Sequence, residues 1–256
     1  MQIDILTLFP DMFIGPFSQS ILKKAQEKSV LAISITDIRD YAHDKHRTVD
    51  DYPFGGGSGM LMKPEPIFEA VEDIFQRSGL TSQPKVIMMC PQGRMFNQRI
   101  AEELATETHL ILICGHYEGI DERVRMHLVD DEISIGDYIL TGGELPAMVV
   151  VDAISRLVPG VLGDDESAKT ESFAEPLLDY PQYTRPREYR GWTVPEVLLS
   201  GDHEKVRLWR RKEAIRRTMQ KRIDMICLDT MNEEDQGIVK EIQNETRLVG
   251  IVVDKA

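Results

Sequence analysis

Along the first two thirds of this chain, short apolar runs alternate with longer amphipathic ones, and that alternation constrains the fold more than any other feature. "QIDILTLF" (2–9) reads as a buried strand and "SQSILKKAQEKS" (18–29) as a helix; "LAISITDI" (31–38) has the period of a strand. "PEPIFEAVEDIFQRSG" (64–79) carries Pro in its first turn and Gly at its end, the start and stop signals of a helix. "KVIMMC" (85–90), a helix over 97–108, "LILICG" (110–115), "DEISIGDYIL" (131–140) and the helical "LPAMVVVDAISRLV" (145–158) continue the series. This repetition of strand, helix and strand predicts an α/β domain with a mainly parallel sheet.

The texture then changes. Residues 159–192 are rich in proline, glycine and charge without sustained periodicity, and read as a linker merging into an extended segment. Helices are expected over 202–221 and near 233–246, whereas "RLVGIVVDKA" at the end reads equally as a strand or a helix tail. The expected organisation is a domain over 1–162, a flexible linker over 163–176 and a small helical domain over 177–256. No apolar run reaches the length of a membrane span, and the first residues lack the basic-then-apolar pattern of a signal peptide, so a cytoplasmic protein is expected. Three cysteines, Cys90, Cys114 and Cys227, form no C-x-x-C pair, which gives no support to a disulfide framework or a zinc site. The net charge of −13 argues against a nucleic-acid binder taken whole. It is unevenly spread, however: from Lys205 to Arg222 nine Lys/Arg face the single acid Glu213.

Ligands of parallel α/β sheets bind outside the carboxyl ends of the strands. Three glycine-bearing stretches leave such ends here, "CPQGRMF", "CGHYEGIDERV" and "IGDYILTGGE". Glycine lets backbone approach a ligand and points free N–H groups at it. The chain has neither G-x-G-x-x-G after its first strand nor a P-loop, which removes the main support for dinucleotide and nucleoside-triphosphate readings. "FGGGSGM" (54–60) looks like a phosphate cradle without its Lys-Ser/Thr, and is read as a loop near a substrate or as a plain turn.

Taken in order, "PQGR", "CGHYEGIDERV", "SIGDYILTGGELPAMVVVDAISRLVPGVLG", "YTRP" and "VPEVLLSG" resemble the bacterial tRNA (guanine-N(1)-)-methyltransferases of the SPOUT class. The resemblance implies an α/β domain tied in a deep trefoil knot, joined by a linker to a small α-helical domain, as a homodimer. It implies S-adenosylmethionine as methyl donor, tRNA rather than DNA as partner, and guanosine 37 next to the anticodon as acceptor. A magnesium ion enters as a candidate, without a dedicated ligand cluster in the sequence. Carried over residue by residue, the donor site comprises Pro91, Gln92 and Gly93, then Gly115 and Glu118. Ser134, Ile135, Gly136, Asp137, Tyr138, Ile139, Leu140, Gly142 and Gly143 complete it.

Methylating the ring nitrogen of guanine requires a base for its proton and a partner for the charge that grows on the adjacent carbonyl oxygen. The resemblance assigns these roles to Glu171 and Arg156. Glu171 stands where the family pattern has aspartate before Ser-Phe; Asp164, Asp165, Glu166 and Glu175 are the alternatives. On the helix at 202–221, Leu208, Ile215 and Met219 share one face, with Arg210, Arg217 and Lys221 nearly opposite. That basic stripe reads as a phosphate footprint or as a solvated face. His43 and His46 read as backbone or phosphate contacts. Two rival functions remain: a knotted methyltransferase acting on ribose hydroxyls or ribosomal RNA, and a non-catalytic RNA-binding module.

Overall fold

Six consecutive residues, His109–Cys114, are all buried and form the strand at the heart of the protein. The structure, a computed structural model, describes residues 1–79, 83–162 and 171–253. The chain divides into two compact units, Met1–Asp165 and Glu166–Ala256.

In the first unit the strands are β1 (Gln2–Thr7), β2 (Ala32–Asp37), β3 (Asp50–Asp51), β4 (Leu61–Met62), β5 (Lys85–Met95), β6 (His109–Cys114) and β7 (Asp131–Ser134). The helices are α1 (Ile14–Phe17), α2 (Ser20–Glu27), α3 (Pro64–Ser78), α4 (Gln98–Ala105), α5 (Glu122–His127) and α6 (Glu144–Ser155). Five strands make one sheet in the order β2-β1-β6-β5-β7, every pair parallel. Strand β6 is inserted between β1 and β5, and the chain then passes over β5 to lay β7 at the far edge.

Strand alternation explains the two cores. Ile3, Ile5, Ile87, Met89, Leu110 and Leu112 face one side with Leu22, Leu104 and Val151 of α2, α4 and α6. Leu6, Val86, Ile111 and Ile113 face the other with Ile67, Val71 and Ile74 of α3 and Val124 of α5. Each fully buried side chain of this kind contributes about 1.5–3 kcal/mol, so burial on both faces holds the sheet between its helices. Helix α3 has Pro64 at its start, Glu65 in its first turn and Gly79 in the left-handed conformation at its end, as its sequence signals require.

One strand expectation needs correction. The segment 91–95 is not a loop: β5 runs on to Met95 and pairs with β7 again after a bulge between Met89 and Arg94. The third glycine-bearing stretch is a loop as expected: β7 stops at Ser134, and 135–140 leaves the sheet.

In the second unit a hairpin of β8 (Glu188–Tyr189) and β9 (Trp192–Thr193) interrupts the stretch read as extended. Helices α7 (His203–Lys221) and α8 (Glu233–Val253) follow. Residues 247–253 of the ambiguous tail are helical, and 254–256 lie outside the described residues. Leu177, Ile215, Val239 and Ile242 form the core of this unit, with Met219 against it. Leu208, expected on the buried face of α7, is 37% exposed. The buried face is narrower, built from Ala214, Ile215 and Thr218, because ion pairs to α8 hold the remaining turns. Of the linker expected over 163–176, residues 163–170 lie outside the described residues, and with them Asp164, Asp165 and Glu166.

Candidate functional site

The carboxyl ends of β5, β6 and β7 are neighbours, and the segments that leave them approach closely. Gly93 shows why glycine is needed: a Cβ there would sit 2.4 Å from the Glu132 carbonyl carbon and the Ile133 nitrogen. The outer half of β5 therefore crosses β7 backbone against backbone. At Gly143 a Cβ would lie 2.7 Å from Cys114 Cα, and the Gly143 N–H donates to the Gly115 carbonyl at 2.9 Å. The start of α6 is thus pressed onto the end of β6.

Pro91 and Gln92 are exposed in the outer half of β5, and Gly115 and Glu118 follow β6. Glu118 lies against Gly59 of the "FGGGSGM" loop, with its N–H donating to the Met60 carbonyl at 3.0 Å. In the third loop Ser134 Oγ donates to the Gly136 carbonyl at 3.1 Å. Tyr138 is no core aromatic: 54% exposed, it folds back over Gly136, and its hydroxyl donates to the Ile135 carbonyl at 3.3 Å. Ile135 packs against the core, Asp137 and Ile139 are exposed, and Leu140 and Gly142 are half-buried. Among the described residues the amides of Ile139, Leu140 and Gly142 have no partner within the chain, and so are free to bond a ligand.

Beneath these loops lies a network that sequence reading missed. Glu144, 1% exposed at the start of α6, accepts the Thr7 hydroxyl at 2.7 Å and meets His116 Nε2 at 3.1 Å. Phe9 packs on the His116 ring, centroids 4.6 Å apart. One carboxylate thereby ties the ends of β1 and β6 to α6. Its signal was present, a histidine after "CG" and a glutamate after "GG", but nothing in a single sequence pairs them. Burial, with the nearby Glu144 charge, pushes the Cys114 thiol well above its ordinary range.

Two arginines brace the outer loops. Arg94 donates to both Asp131 and Glu103, and its hydrogen bonds hold the Glu103 carboxyl down at about 2. Arg125 reaches Gln92 Oε1 at 3.2 Å and Glu132 Oε1 at 3.1 Å.

Arg156 caps the end of α6 in the first unit and is half-buried. Glu171 belongs to the second unit, where it is exposed and its carbonyl accepts the Ala174 N–H. Glu175, an alternative to it, is engaged by Arg211 at 2.6 Å. In the first unit His43 meets Glu69 at 2.6 Å, which gives it a side-chain partner the sequence did not suggest.

Beyond Lys205, which pairs with Asp202 at 3.1 Å, helix α7 separates its cations into two sets. Arg207, Arg211, Lys212 and Arg216 are each held by two carboxylates. Among the described residues, Arg210, Arg217 and Lys221 have no carboxylate partner, and they are the three placed on the outer stripe by spacing alone.

The parallel sheet and its edge define a class: an α/β protein with glycine-bearing segments gathered at three adjacent strand ends, carrying a separate helical unit with exposed cations. The particular family comes from comparison. The chain belongs to the tRNA (guanine-1)-methyltransferase TrmD family, whose model matches residues 1–227. It is similar to a tRNA (guanine-N(1)-)-methyltransferase of Moorella thermoacetica, 59% identical over 242 residues, covering 94% of this chain and 96% of the relative. A second, of Dictyoglomus turgidum, is 57% identical over 96% of this chain and 98% of the relative. One of Halalkalibacterium halodurans is 54% identical over 96% and 99%.

Proposed function

We propose that the protein is an enzyme that transfers a methyl group from S-adenosylmethionine to N(1) of guanosine 37 in tRNA. The observation that carries this reading is membership of the family over nearly the whole chain, with relatives named tRNA (guanine-N(1)-)-methyltransferase. The donor's adenine calls for backbone N–H and C=O partners, and the unpartnered amides of Ile139, Leu140 and Gly142 supply donors at the sheet edge. Pro91, Gln92, Gly93, Gly115, Glu118 and the loop from Ser134 to Gly143 line that site in this reading, with Glu118 or Asp137 toward the ribose hydroxyls or the cationic end. The tight crossings at Gly93 and Gly143 support a trefoil knot of the SPOUT kind. The assembly in this reading is a cytoplasmic homodimer; no helix among the described residues is long and apolar enough to cross a membrane.

For the transfer, Glu171 accepts the N(1) proton, and the freed electron pair attacks the methyl carbon. The carbon–sulfur bond breaks as the N(1)–methyl bond forms, leaving a neutral thioether. Arg156 stabilises the negative charge that deprotonation places on the adjacent carbonyl oxygen. Among the described residues no group of three or more His, Cys, Asp or Glu side chains gathers to hold a metal, and no step here is routed through magnesium. Arg210, Arg217 and Lys221 take tRNA phosphates.

The test is the nucleoside composition of tRNA after incubation with S-adenosylmethionine, with single-turnover rates for Glu171→Gln and Arg156→Ala. The reading expects 1-methylguanosine from wild type and losses of about 10²-fold or more in each variant. A ribose-methylated product, or variants as fast as wild type, refutes it.

A further inference from the structure

The second unit carries an open cleft of about 440 Å³ whose lining brings aromatic and basic side chains together. Tyr180, Tyr183, Arg185 and Arg210 are among its walls. The Arg210 guanidinium lies over the Tyr180 ring, 4.9 Å from its centroid, and Tyr183 packs beside Trp209 at 6.4 Å. Arg187 and Val194, also in the lining, are joined by a hydrogen bond from the Val194 N–H to the Arg187 carbonyl. The β8–β9 hairpin rises directly from that pair. At its tip Tyr189 and Trp192 are 56% and 70% exposed with rings 6.2 Å apart, and Arg190 lies over Tyr189 at 5.2 Å.

Charge decides what this surface awaits. The chain has 43 acidic residues against 30 basic ones, so carboxylates are plentiful. Four cations of α7 are each held by two of them. Yet among the described residues Arg185, Arg190 and Arg210 have no carboxylate partner, and all three lie at the cleft or on its hairpin. Arg187, held by Glu196 at 2.8 Å, is the exception. Cations left unpaired in an acid-rich chain await an anion from outside, and aromatic rings among them add a preference for flat, stackable groups. A duplex backbone offers phosphates without free base faces; an unpaired nucleotide offers both.

We propose that this cleft and its hairpin bind an unpaired nucleotide of the RNA substrate, distinct from the guanosine that is methylated. The base stacks on the cleft tyrosines or the hairpin aromatics, and Arg185 and Arg210 hold the flanking phosphates. This rests on the reading of the protein as a tRNA methyltransferase, and it adds a requirement: the substrate must present a second splayed base to the helical unit.

The experiment uses the full chain and two RNA probes, a tRNA transcript and an unstructured RNA octamer, with affinities measured across a salt series. Tyr183→Leu and Trp192→Leu remove the π faces while keeping apolar bulk, and Tyr183→Phe keeps the face. The expected result is an about tenfold or greater loss of octamer affinity for the leucine variants, with Tyr183→Phe close to wild type. Arg210→Gln lowers the slope of log affinity against log salt by about 0.7, the share of one phosphate on a single strand. Far-UV circular dichroism and the thermal melt of each variant, read in parallel, stay as in wild type and report that the helical unit is folded. Leucine variants that hold the octamer as tightly as wild type overturn the proposal. So does a change of oligomeric state without loss of RNA affinity, which assigns the hairpin to a protein contact. The two readings fail separately: absence of 1-methylguanosine from wild type counts against the enzymatic reading, whereas octamer affinity counts for or against the cleft.

Discussion

Replacing Gly93 with alanine tests the backbone crossing that brings the strand ends together. The added methyl would lie 2.4 Å from two backbone atoms of Glu132 and Ile133 and 2.5 Å from the Glu132 carbonyl oxygen. Ordinary van der Waals contact begins near 3.4 Å, so about 1 Å of separation must be created. The obstacle is backbone in a paired strand, which no rotamer change relieves. Moving β7 away from β5 strains ladder bonds that contribute about 1 kcal/mol each, on top of an overpacking cost of about 1–3 kcal/mol. A loss of roughly 3 kcal/mol is expected, which lowers the melting temperature of a domain this size by about 6–12 °C. Differential scanning calorimetry reads it, with Gly237→Ala as control: nothing lies within 4 Å of a Cβ at that exposed helical position. Alanine there stabilises by about 0.5–1 kcal/mol. A Gly93→Ala protein that melts within 1 °C of wild type refutes the crossing.

Three further outcomes follow from the same structure. Glu144→Ala strips the buried Thr7 hydroxyl and His116 of their shared partner, with an expected cost of about 1–3 kcal/mol in thermal melts and weaker S-adenosylmethionine binding by calorimetry. The Glu103 carboxyl, held near 2 by Arg94, contributes stability that is present above its unfolded value of about 4.5 and lost as pH falls toward 2. The melting difference between wild type and Glu103→Gln accordingly shrinks from pH 7 to pH 3. Iodoacetamide labelling followed by mass spectrometry modifies exposed Cys227 first and reaches Cys114 only on unfolding, since burial both hides that thiol and disfavours its thiolate.

What the sequence makes legible is what local periodicity controls. The buried run at Leu110–Ile113, the capping signals of α3 and the unpaired stripe Arg210–Arg217–Lys221 are all visible in one dimension, since each depends on residues a few positions apart. The continuation of β5 through "PQGRM" is not visible, because turn-forming glycine and proline there are held extended by a partner strand some 40 residues away. The same holds for Leu208, whose turn of α7 is tied down by Arg207 and Arg211 reaching α8 rather than by apolar burial. At the candidate site the glycine loops stand out, but the Thr7–Glu144–His116 network joins residues up to 137 positions apart. No spacing rule finds such a set. Glu171 enters the proposed mechanism only through family resemblance, since an exposed carboxylate in a proline-rich stretch carries no signal of its own.

The central claim is that amides at the carboxyl ends of β5, β6 and β7 hold the methyl donor. Amide chemical-shift mapping on the ¹⁵N-labelled protein, titrated with S-adenosylhomocysteine, tests it most directly. The account predicts the largest shifts at Ile139, Leu140 and Gly142, accompanied by Gly93 and Gly115. Saturable shifts confined to the helical unit, or a silent loop from Ser134 to Gly143 on folded protein, contradict it.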